Sequence, residues 1–236
     1  MIGRVKMKTI KDVTSQFLDA QHKRLKSRTY RDYESVMELF EIYLNGYGPN
    51  TLDQAEKERW KQAYQEDEAA FTKLFTIAHV SSHHFEEFLE YFVIRKVASG
   101  ESFMRDCVRV LKKFSKWLDE HHYIDEQEHS ELHNYFKSGK SVSLPNAVKV
   151  SDLLYEHSLN NQNNRYEEML EGYFEITEKK HNHVLLADAL SLNEIDGPLM
   201  IPQSIVKLCE VGWDFSGVIG KKDGKWYVVE VGNVYP

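Results

Sequence analysis

Cationic residues recur at helical spacing in the stretch that follows residue 100. Most of them are three or four positions apart, and they are Arg105, Arg109, Lys112, Lys113 and Lys116. On an α-helix this spacing places the side chains along one flank, while Val108, Leu111 and Leu118 form an apolar stripe on the other side. A flank of cations neutralises phosphates and fixes the register of a protein on duplex DNA without reading bases. The alternative interpretation is the solvated face of an amphipathic helix.

A second basic cluster falls where the periodicity predicts the junction of the first two helices. Its members are Lys23, Arg24, Lys26, Arg28 and Arg31. If both clusters lie on one surface, the hypothesis of DNA binding gains support, because local field rather than total charge steers a polyanion. We expect Thr29 or Ser27 to cap the second helix rather than to contact a ligand.

Histidines are concentrated further along the chain, at His121, His122, His129 and His133. His129 and His133 are four apart, so on a helix both imidazoles face one way, as a metal-binding pair does. The intervening order is His-Ser-Glu-Leu-His, which lacks the Glu directly after the first His that serves as the base of a metalloprotease. We therefore interpret these histidines as exposed helix residues and predict no metal site. His83 and His84 are likewise interpreted as polar surface beside a helix start.

Residues for catalysis are not apparent in the sequence. It contains no paired carboxylates, Gly-rich phosphate loop or nucleophile motif, so we predict neither enzymatic activity nor a cofactor. Near the C-terminus, aromatic residues are frequent, and most of them are expected to fill a small core. These residues are Trp213, Phe215, Trp226, Tyr227 and Tyr235. Any that stay exposed are expected to hold a protein partner.

The amino-acid composition narrows the class of protein to which this chain can belong. Hydrophobic residues make up 42% of the 236 positions and charged residues 28%, which predicts a soluble globular protein. No apolar run approaches the ~20 residues that span a bilayer, and the basic N-terminal segment 1–8 is not followed by the apolar stretch of a secretory signal. We therefore expect no membrane association and a cytoplasmic location. Cys107 and Cys209 alone cannot form a disulfide framework or a Cys-rich zinc site.

The net charge of −7 is unevenly distributed. Residues 1–31 hold nine Lys/Arg against two Asp/Glu, whereas residues 151–236 hold seven Lys/Arg against fourteen Asp/Glu. A polyanion is therefore expected to approach the first segment and to be repelled by the last.

Hydrophobic periodicity divides the chain into a helical part and a strand-rich part. Helices are predicted around Ile10–Leu25, Thr29–Leu44, Phe85–Val97 and Ser102–Leu118. A further, polar helix is predicted to begin after a cap at Asn50 or Thr51 and to run through Tyr64. Residues 125–145 are predicted as a weak helix followed by a Ser/Gly-rich linker, and Val150–Leu159 as a short helix.

Beyond the polar run 160–164 the period changes to that of strands. Predicted strands cover 172–177, 183–187, 199–201, 215–219 and 226–231, the last two forming a hairpin around a Lys-Lys-Asp-Gly turn. A short helical segment is predicted within 203–209. The expected fold is therefore α+β in two domains: a helical bundle at 1–145, a helix and linker at 146–164, and a small SH3-like or OB-like β-barrel at 165–236.

Two groups of positions in the first half of the chain form a recognisable pattern. The first is Thr9, Phe17, Leu25, Ser27, Thr29, Tyr33, Phe40 and Leu44. The second is Val80, Ser81, Phe85, Phe88, Leu89, Ser102, Arg105, Leu111, Phe114, Trp117, Leu118, Tyr123 and Ile124. With this pattern, residues 9–124 resemble the N-terminal core-binding domain of the tyrosine recombinases, or phage integrases, which is a SAM-like bundle of four to five helices. Residues 46–75 look like an insertion relative to it.

The resemblance implies duplex DNA as a partner, because in that family this domain forms one arm of a clamp around DNA and a catalytic domain forms the other. Strand cleavage there needs two arginines, a lysine, histidine-type groups and a tyrosine, since its transition state concentrates negative charge. Here Tyr235 lies near the C-terminus, but Arg165 is the only arginine after Arg109, and no His-x-x-Arg occurs. The family's catalytic activity is therefore not expected.

Two hypotheses remain. The first is a non-enzymatic DNA-binding or accessory protein that uses an integrase-like helical domain, while its acidic barrel binds a protein partner. The second is a protein interaction module without affinity for DNA. Salt dependence separates them, because phosphate binding weakens steeply as salt rises and an apolar protein interface does not.

Overall fold

The computed structural model describes residues 8–97 and 100–236. The protein is α+β, with a bundle of helices followed by a closed five-stranded β-barrel, so the predicted fold class is confirmed. Residues 8–92 and 106–138 form one compact unit, called here the helical unit, and residues 93–97, 100–105 and 139–236 form a second, the barrel unit. Arg4 and Lys6, which belong to the basic N-terminal segment, lie outside the described residues.

The helices before the barrel are α1 (Ile10–His22), α2 (Ser27–Tyr47), α3 (Gln54–Tyr64), α4 (Ala70–Leu74), α5 (Ser82–Glu87), α6 (Ile94–Lys96), α7 (Glu101–Glu120), α8 (Glu126–Lys137) and α9 (Gly139–Ser158). A π-helical turn, Phe88–Val93, joins α5 to α6. The predicted buried stripe of α2 is confirmed at each of its positions, which are Tyr33, Val36, Met37, Phe40 and Leu44.

Aromatic rings fill the core of the helical unit. The ring centroid of Phe40 on α2 lies 5.1 Å from that of Phe85 on α5, and Phe17 on α1 lies 5.0 Å from Phe114 on α7. All four side chains are 0% exposed. Truncation of a buried Phe to Ala costs roughly 3–5 kcal/mol, so these contacts hold the helices in place.

Local hydrogen bonds set where helices begin. Thr9 caps α1 in a reciprocal box with Asp12, and Asp53 caps α3 in the same way with Glu56. The prediction that Asn50 or Thr51 caps α3 is wrong, because a 3-10 turn, Gly48–Thr51, contains both. Asp53 is favoured because its partner Glu lies three residues later.

The predicted linker before residue 145 is also wrong, since α9 begins at Gly139 and runs through Pro145. Ala147, Val150 and Leu154 of this helix are buried in the hydrophobic core of the barrel. Burial of this apolar face offsets the weak helix propensity of a Ser/Gly/Pro-rich segment. The predicted boundary at 145 therefore lies inside a helix that belongs to the barrel unit.

The barrel strands are β1 (Glu168–Lys179), β2 (His183–Asp188), β3 (Leu199–Met200), β4 (Asp214–Lys222) and β5 (Lys225–Tyr235), in the closed order β1-β2-β3-β5-β4. The pairs are antiparallel except for β3 with β5. A short helix, α10 (Gln203–Val206), precedes β4. Asp223 and Gly224 both have positive φ, 53° and 70°, as a two-residue hairpin turn requires, so the predicted β4–β5 hairpin is confirmed.

Three of the C-terminal aromatic side chains lie in the barrel core, as predicted, among mainly aliphatic residues. Trp226, Phe215 and Trp213 are at most 3% exposed, and the ring of Phe215 lies 5.3 Å from that of Phe174. The indole nitrogen of Trp226 donates to the carbonyl of Asp196 at 2.8 Å, which satisfies its polar atom inside the core. Tyr227 and Tyr235 are half-buried.

Candidate nucleic-acid interface

The five cations of the cluster predicted at the junction of the first two helices are all exposed. Lys23 follows the last residue of α1 and Lys26 precedes the first residue of α2, while Arg28 and Arg31 lie in the first two turns of α2. Among the residues that the structure describes, none of the five forms an ion pair. Within residues 8–97 and 100–236, the one side-chain hydrogen bond of the group joins Arg24 Nε to Gln21 Oε1 at 2.7 Å. This set, called here the junction cluster, therefore presents uncompensated positive charge.

The start of α2 adds to this positive potential. Lys26 is the N-cap residue, its side chain makes no cap hydrogen bond, and the first turn contains no acidic residue. The prediction that Ser27 or Thr29 caps this helix is wrong, because both lie inside it. Within the described chain, the backbone N–H groups of Ser27, Arg28 and Thr29 find no acceptor, whereas that of Tyr30 donates to the Lys26 carbonyl at 2.9 Å. A helix N-terminus carries a partial positive charge and attracts anions.

The α7 cations have a different electrostatic environment, because most of them form ion pairs with acidic residues of the same helix. Arg105 pairs with Glu101, Arg109 Nη2 lies 2.6 Å from Asp106 Oδ1, and Lys116 Nζ lies 3.5 Å from Glu120 Oε1. Such exposed pairs contribute only ~0–1 kcal/mol to stability. They nevertheless reduce the net charge along the predicted flank.

Two lysines of the α7 flank have no acidic partner among residues 8–97 and 100–236. Lys112 Nζ donates to the carbonyl of Phe136 at the end of α8, 3.4 Å away. Lys113, on the next position of α7, is half-buried. The flank is thus divided into three cations that have an acidic partner, Arg105, Arg109 and Lys116, and two lysines that have none in the described chain.

One residue of α7 joins the two clusters. Arg109 Nη2 lies 3.5 Å from Asp32 Oδ2 on α2, and its guanidinium lies 5.4 Å from the centre of the Tyr33 ring. Asp32 follows Arg31 directly and lies four residues after Arg28. The N-terminal part of α2 therefore lies beside α7 within the helical unit.

The predicted histidine pair lies on α8. His129 and His133 have nearly parallel rings with centroids 5.9 Å apart, and His129 Nδ1 lies 3.1 Å from Asp119 Oδ1 on α7. The described residues include no group of three His, Cys, Asp or Glu that could hold a metal ion.

His84 corrects a sequence prediction, because its side chain is 2% exposed rather than on the polar surface. The backbone N–H of Ser81 donates to His84 Nδ1 at 3.1 Å, and the Ser81 hydroxyl lies at the same distance. This arrangement is a capping box at the start of α5. Burial lowers the pKa of His84, and the nearby His83 lowers it further, so the neutral ring is favoured.

Both cysteines are buried. Burial raises the pKa of Cys107 to about 12 and that of Cys209 to about 11. A thiol with such a pKa is protonated at neutral pH, and the thiolate is the nucleophilic form. Neither cysteine therefore has the environment of a reactive group.

A loop of the barrel unit holds two leucines in solvent, a feature that the sequence analysis missed. Leu190 is 84% and Leu192 71% exposed. The Asp188 carboxylate accepts from the backbone N–H of Leu190 at 3.1 Å and from that of Ser191 at 2.7 Å. Hydrogen bonds from Ser191 and Leu190 lower the pKa of Asp188, so the ionised carboxylate holds the loop in shape.

The fold and the interface together define a two-unit α+β protein with a basic helical junction. Comparison of the chain with protein-family models, with curated proteins and with solved structures finds no match. No described helix is long and apolar enough to cross a membrane. The resemblance to the recombinase core-binding domain therefore depends on the pattern of residues described above.

Proposed function

We propose that this chain is a non-enzymatic DNA-binding or accessory protein in which the junction cluster binds the phosphate backbone of duplex DNA. The observation that carries the proposal is the grouping of five exposed cations, without an ion pair in the described chain, around the first turn of α2. The integrase-like pattern of residues 9–124 supports the same partner. A cytoplasmic location remains part of the proposal.

The arrangement is unfavourable for the free protein and favourable for a complex with an anion. Lys26 and Arg28 lie at the positive end of the α2 dipole, where acidic residues are stabilising. A phosphate at this position accepts hydrogen bonds from the free backbone N–H groups and neutralises the side chains. Each phosphate contact also releases counterions from DNA, which makes the affinity depend steeply on salt.

A salt titration with a fluorescent duplex tests the proposal. We expect the whole chain to bind at ~50 mM salt, with an affinity that falls linearly in a log–log plot. The Arg28→Ala/Arg31→Ala variant is expected to lower the slope by about 1.8, since each phosphate contact contributes about 0.9. Lys57→Ala/Lys61→Ala on α3 removes the same charge and is expected to leave the slope unchanged. Absence of binding at low salt, or equal slopes for both variants, contradicts the proposal.

The second candidate function is protein interaction through the barrel unit, and the Leu190–Leu192 loop favours it. Leu192 has a φ of 60°, a left-handed conformation that costs a side-chain-bearing residue roughly 1–2 kcal/mol. An ordered loop that holds apolar side chains in water is typical of an interface. Sedimentation velocity tests whether a second copy is the partner. We expect the wild-type chain to self-associate and the Leu190→Asp/Leu192→Asp variant to remain a monomer. A wild-type sedimentation coefficient that does not change with protein concentration contradicts this self-association.

A further inference from the structure

A groove between α7 and α8 of the helical unit combines a cationic rim with an apolar floor. Its volume is about 370 Å³, which falls in the ~300–1,000 Å³ range of small-molecule sites. The floor consists of Leu132 and Phe136, which are 1% and 3% exposed, together with Ile124. Mostly apolar walls with a few polar groups that converge on them are the usual construction of a ligand site.

Three lysines line the rim, against one aspartate. Lys112 uses one donor on the Phe136 carbonyl, which leaves two of the three donors of an ammonium group available. Lys137 is exposed and has no ion pair within the described residues, while Lys116 lies 3.5 Å from Glu120 Oε1. The aspartate, Asp119, contacts His129 Nδ1 at 3.1 Å, so its carboxylate is directed to the imidazole.

The histidine pair adds aromatic side chains to the wall of the groove. The rings of His129 and His133 are stacked on each other, with centroids 5.9 Å apart and planes that differ by 17°. Aromatic rings that line a groove offer packing contacts to an aromatic ligand. The lysines then lie at the edge, where they attract the charged substituent of such a group.

We propose that this groove binds a small aromatic anion, of about the size of a nucleoside monophosphate, with its ring over the apolar floor and its charged group between Lys112 and Lys137. The size of the groove, its apolar floor and its three lysines together favour this ligand class. The inference does not depend on duplex binding, because a chain without affinity for DNA retains the same groove.

Fluorescence titration of the whole chain with 8-anilino-1-naphthalenesulfonate tests the inference, since this dye is both aromatic and anionic. The Lys112→Ala/Lys137→Ala variant is expected to raise the Kd roughly tenfold, because charge-assisted hydrogen bonds to the sulfonate are lost. Lys113→Ala is the matched control on the same helix, because Lys113 does not line the groove. Its Kd is expected to stay within about twofold of the wild-type value, well below a tenfold effect.

The uncharged dye N-phenyl-1-naphthylamine separates ionic recognition from simple apolar adsorption. We expect it to bind at least roughly tenfold more weakly than the sulfonate. Thermal unfolding of each variant confirms that the fold is retained. A Kd that is the same in Lys112→Ala/Lys137→Ala and in wild type, or equal binding of the charged and uncharged dyes, overturns the inference.

Discussion

Replacement of Lys26 by Asp is predicted to stabilise the protein and to weaken DNA binding at the same time. Lys26 occupies the N-cap position of α2 with φ −68° and ψ 150°. These angles are close to those of Asp53, which caps α3 with φ −71° and ψ 175°. An aspartate at position 26 therefore has the backbone geometry to accept a hydrogen bond from the first turn of α2.

The predicted gain in the free energy of unfolding is the sum of two contributions. A capping side chain at a position that lacks one contributes about 1 kcal/mol. Replacing a cation with an anion at the helix N-terminus contributes roughly 0.3–1 kcal/mol for each change, reduced at an exposed site. The sum is about 1–2 kcal/mol, which raises Tm by roughly 2–8 °C for a chain of this size.

The same substitution removes one phosphate contact and adds a repulsive charge. We expect the log–log salt slope of duplex binding to fall by about 1, with weaker binding at each salt concentration. Lys26→Ala is the control that separates cap from charge, since it removes the cation without adding a cap. It is expected to weaken DNA binding while raising Tm by clearly less than Lys26→Asp does, because it supplies neither a cap nor a negative charge.

Calorimetry and the duplex titration, performed on the same preparations, decide the outcome. A Lys26→Asp protein that is no more stable than wild type contradicts the interpretation of α2 as uncapped. If the variant is stabilised but binds the duplex with unchanged slope, the junction is not the interface. Lys61→Asp on α3 controls for the general effect of added negative charge.

Two further predictions concern the packing of each unit. His84→Gln keeps a side chain able to complete the box with Ser81 but removes a buried imidazole whose folded pKa is lowered. Because the unfolded chain binds the proton more tightly, His84 makes stability decrease as pH falls below about 6.5, by at most ~1.4 kcal/mol per pH unit. Urea unfolding between pH 8 and 5 should show a shallower dependence in the variant, and an unchanged profile contradicts the assignment. Gly217→Ala places a Cβ 2.3 Å from the Glu230 carbonyl oxygen and is expected to lower Tm, at a cost of ~1–3 kcal/mol. At Gly46 in α2 a Cβ meets nothing within 4 Å, so Gly46→Ala should instead raise Tm, and equal effects at both sites would refute the clash.

The elements with a strong period were predictable from the sequence. The buried stripe of α2 repeats every three to four residues, and the β4–β5 hairpin has Asp223-Gly224 at its turn. The second half of α9 was predicted as the helix Val150–Leu159, but its first half was not, because that Ser/Gly/Pro-rich segment has the composition of a linker. Only packing of Ala147, Val150 and Leu154 against the barrel makes it a helix, and such tertiary stabilisation leaves no local signal.

The candidate site was only partly predictable for a related reason. The cations could be identified, but whether each one is compensated depends on neighbouring acids. For α7 that signal was present, since Glu101 precedes Arg105 by four residues and Asp106 precedes Arg109 by three. The burial of His84 was not predicted, because the sequence placed it beside a helix start without indicating which side of the helix is covered.

The acidic partners of each cation also indicate which of the two cationic surfaces binds a polyanion more tightly. A phosphate that approaches Arg109 competes with Asp106, which stays 2.6 Å away on the same helix and repels it. Arg28 and Arg31 form no ion pair in the described chain, so a phosphate there has no acidic partner to displace, and it also meets the backbone N–H groups at the start of α2. Equal numbers of arginines therefore do not give equal phosphate affinity. The junction should dominate the salt slope, and the arginines of α7 should contribute less to it than their formal charge suggests.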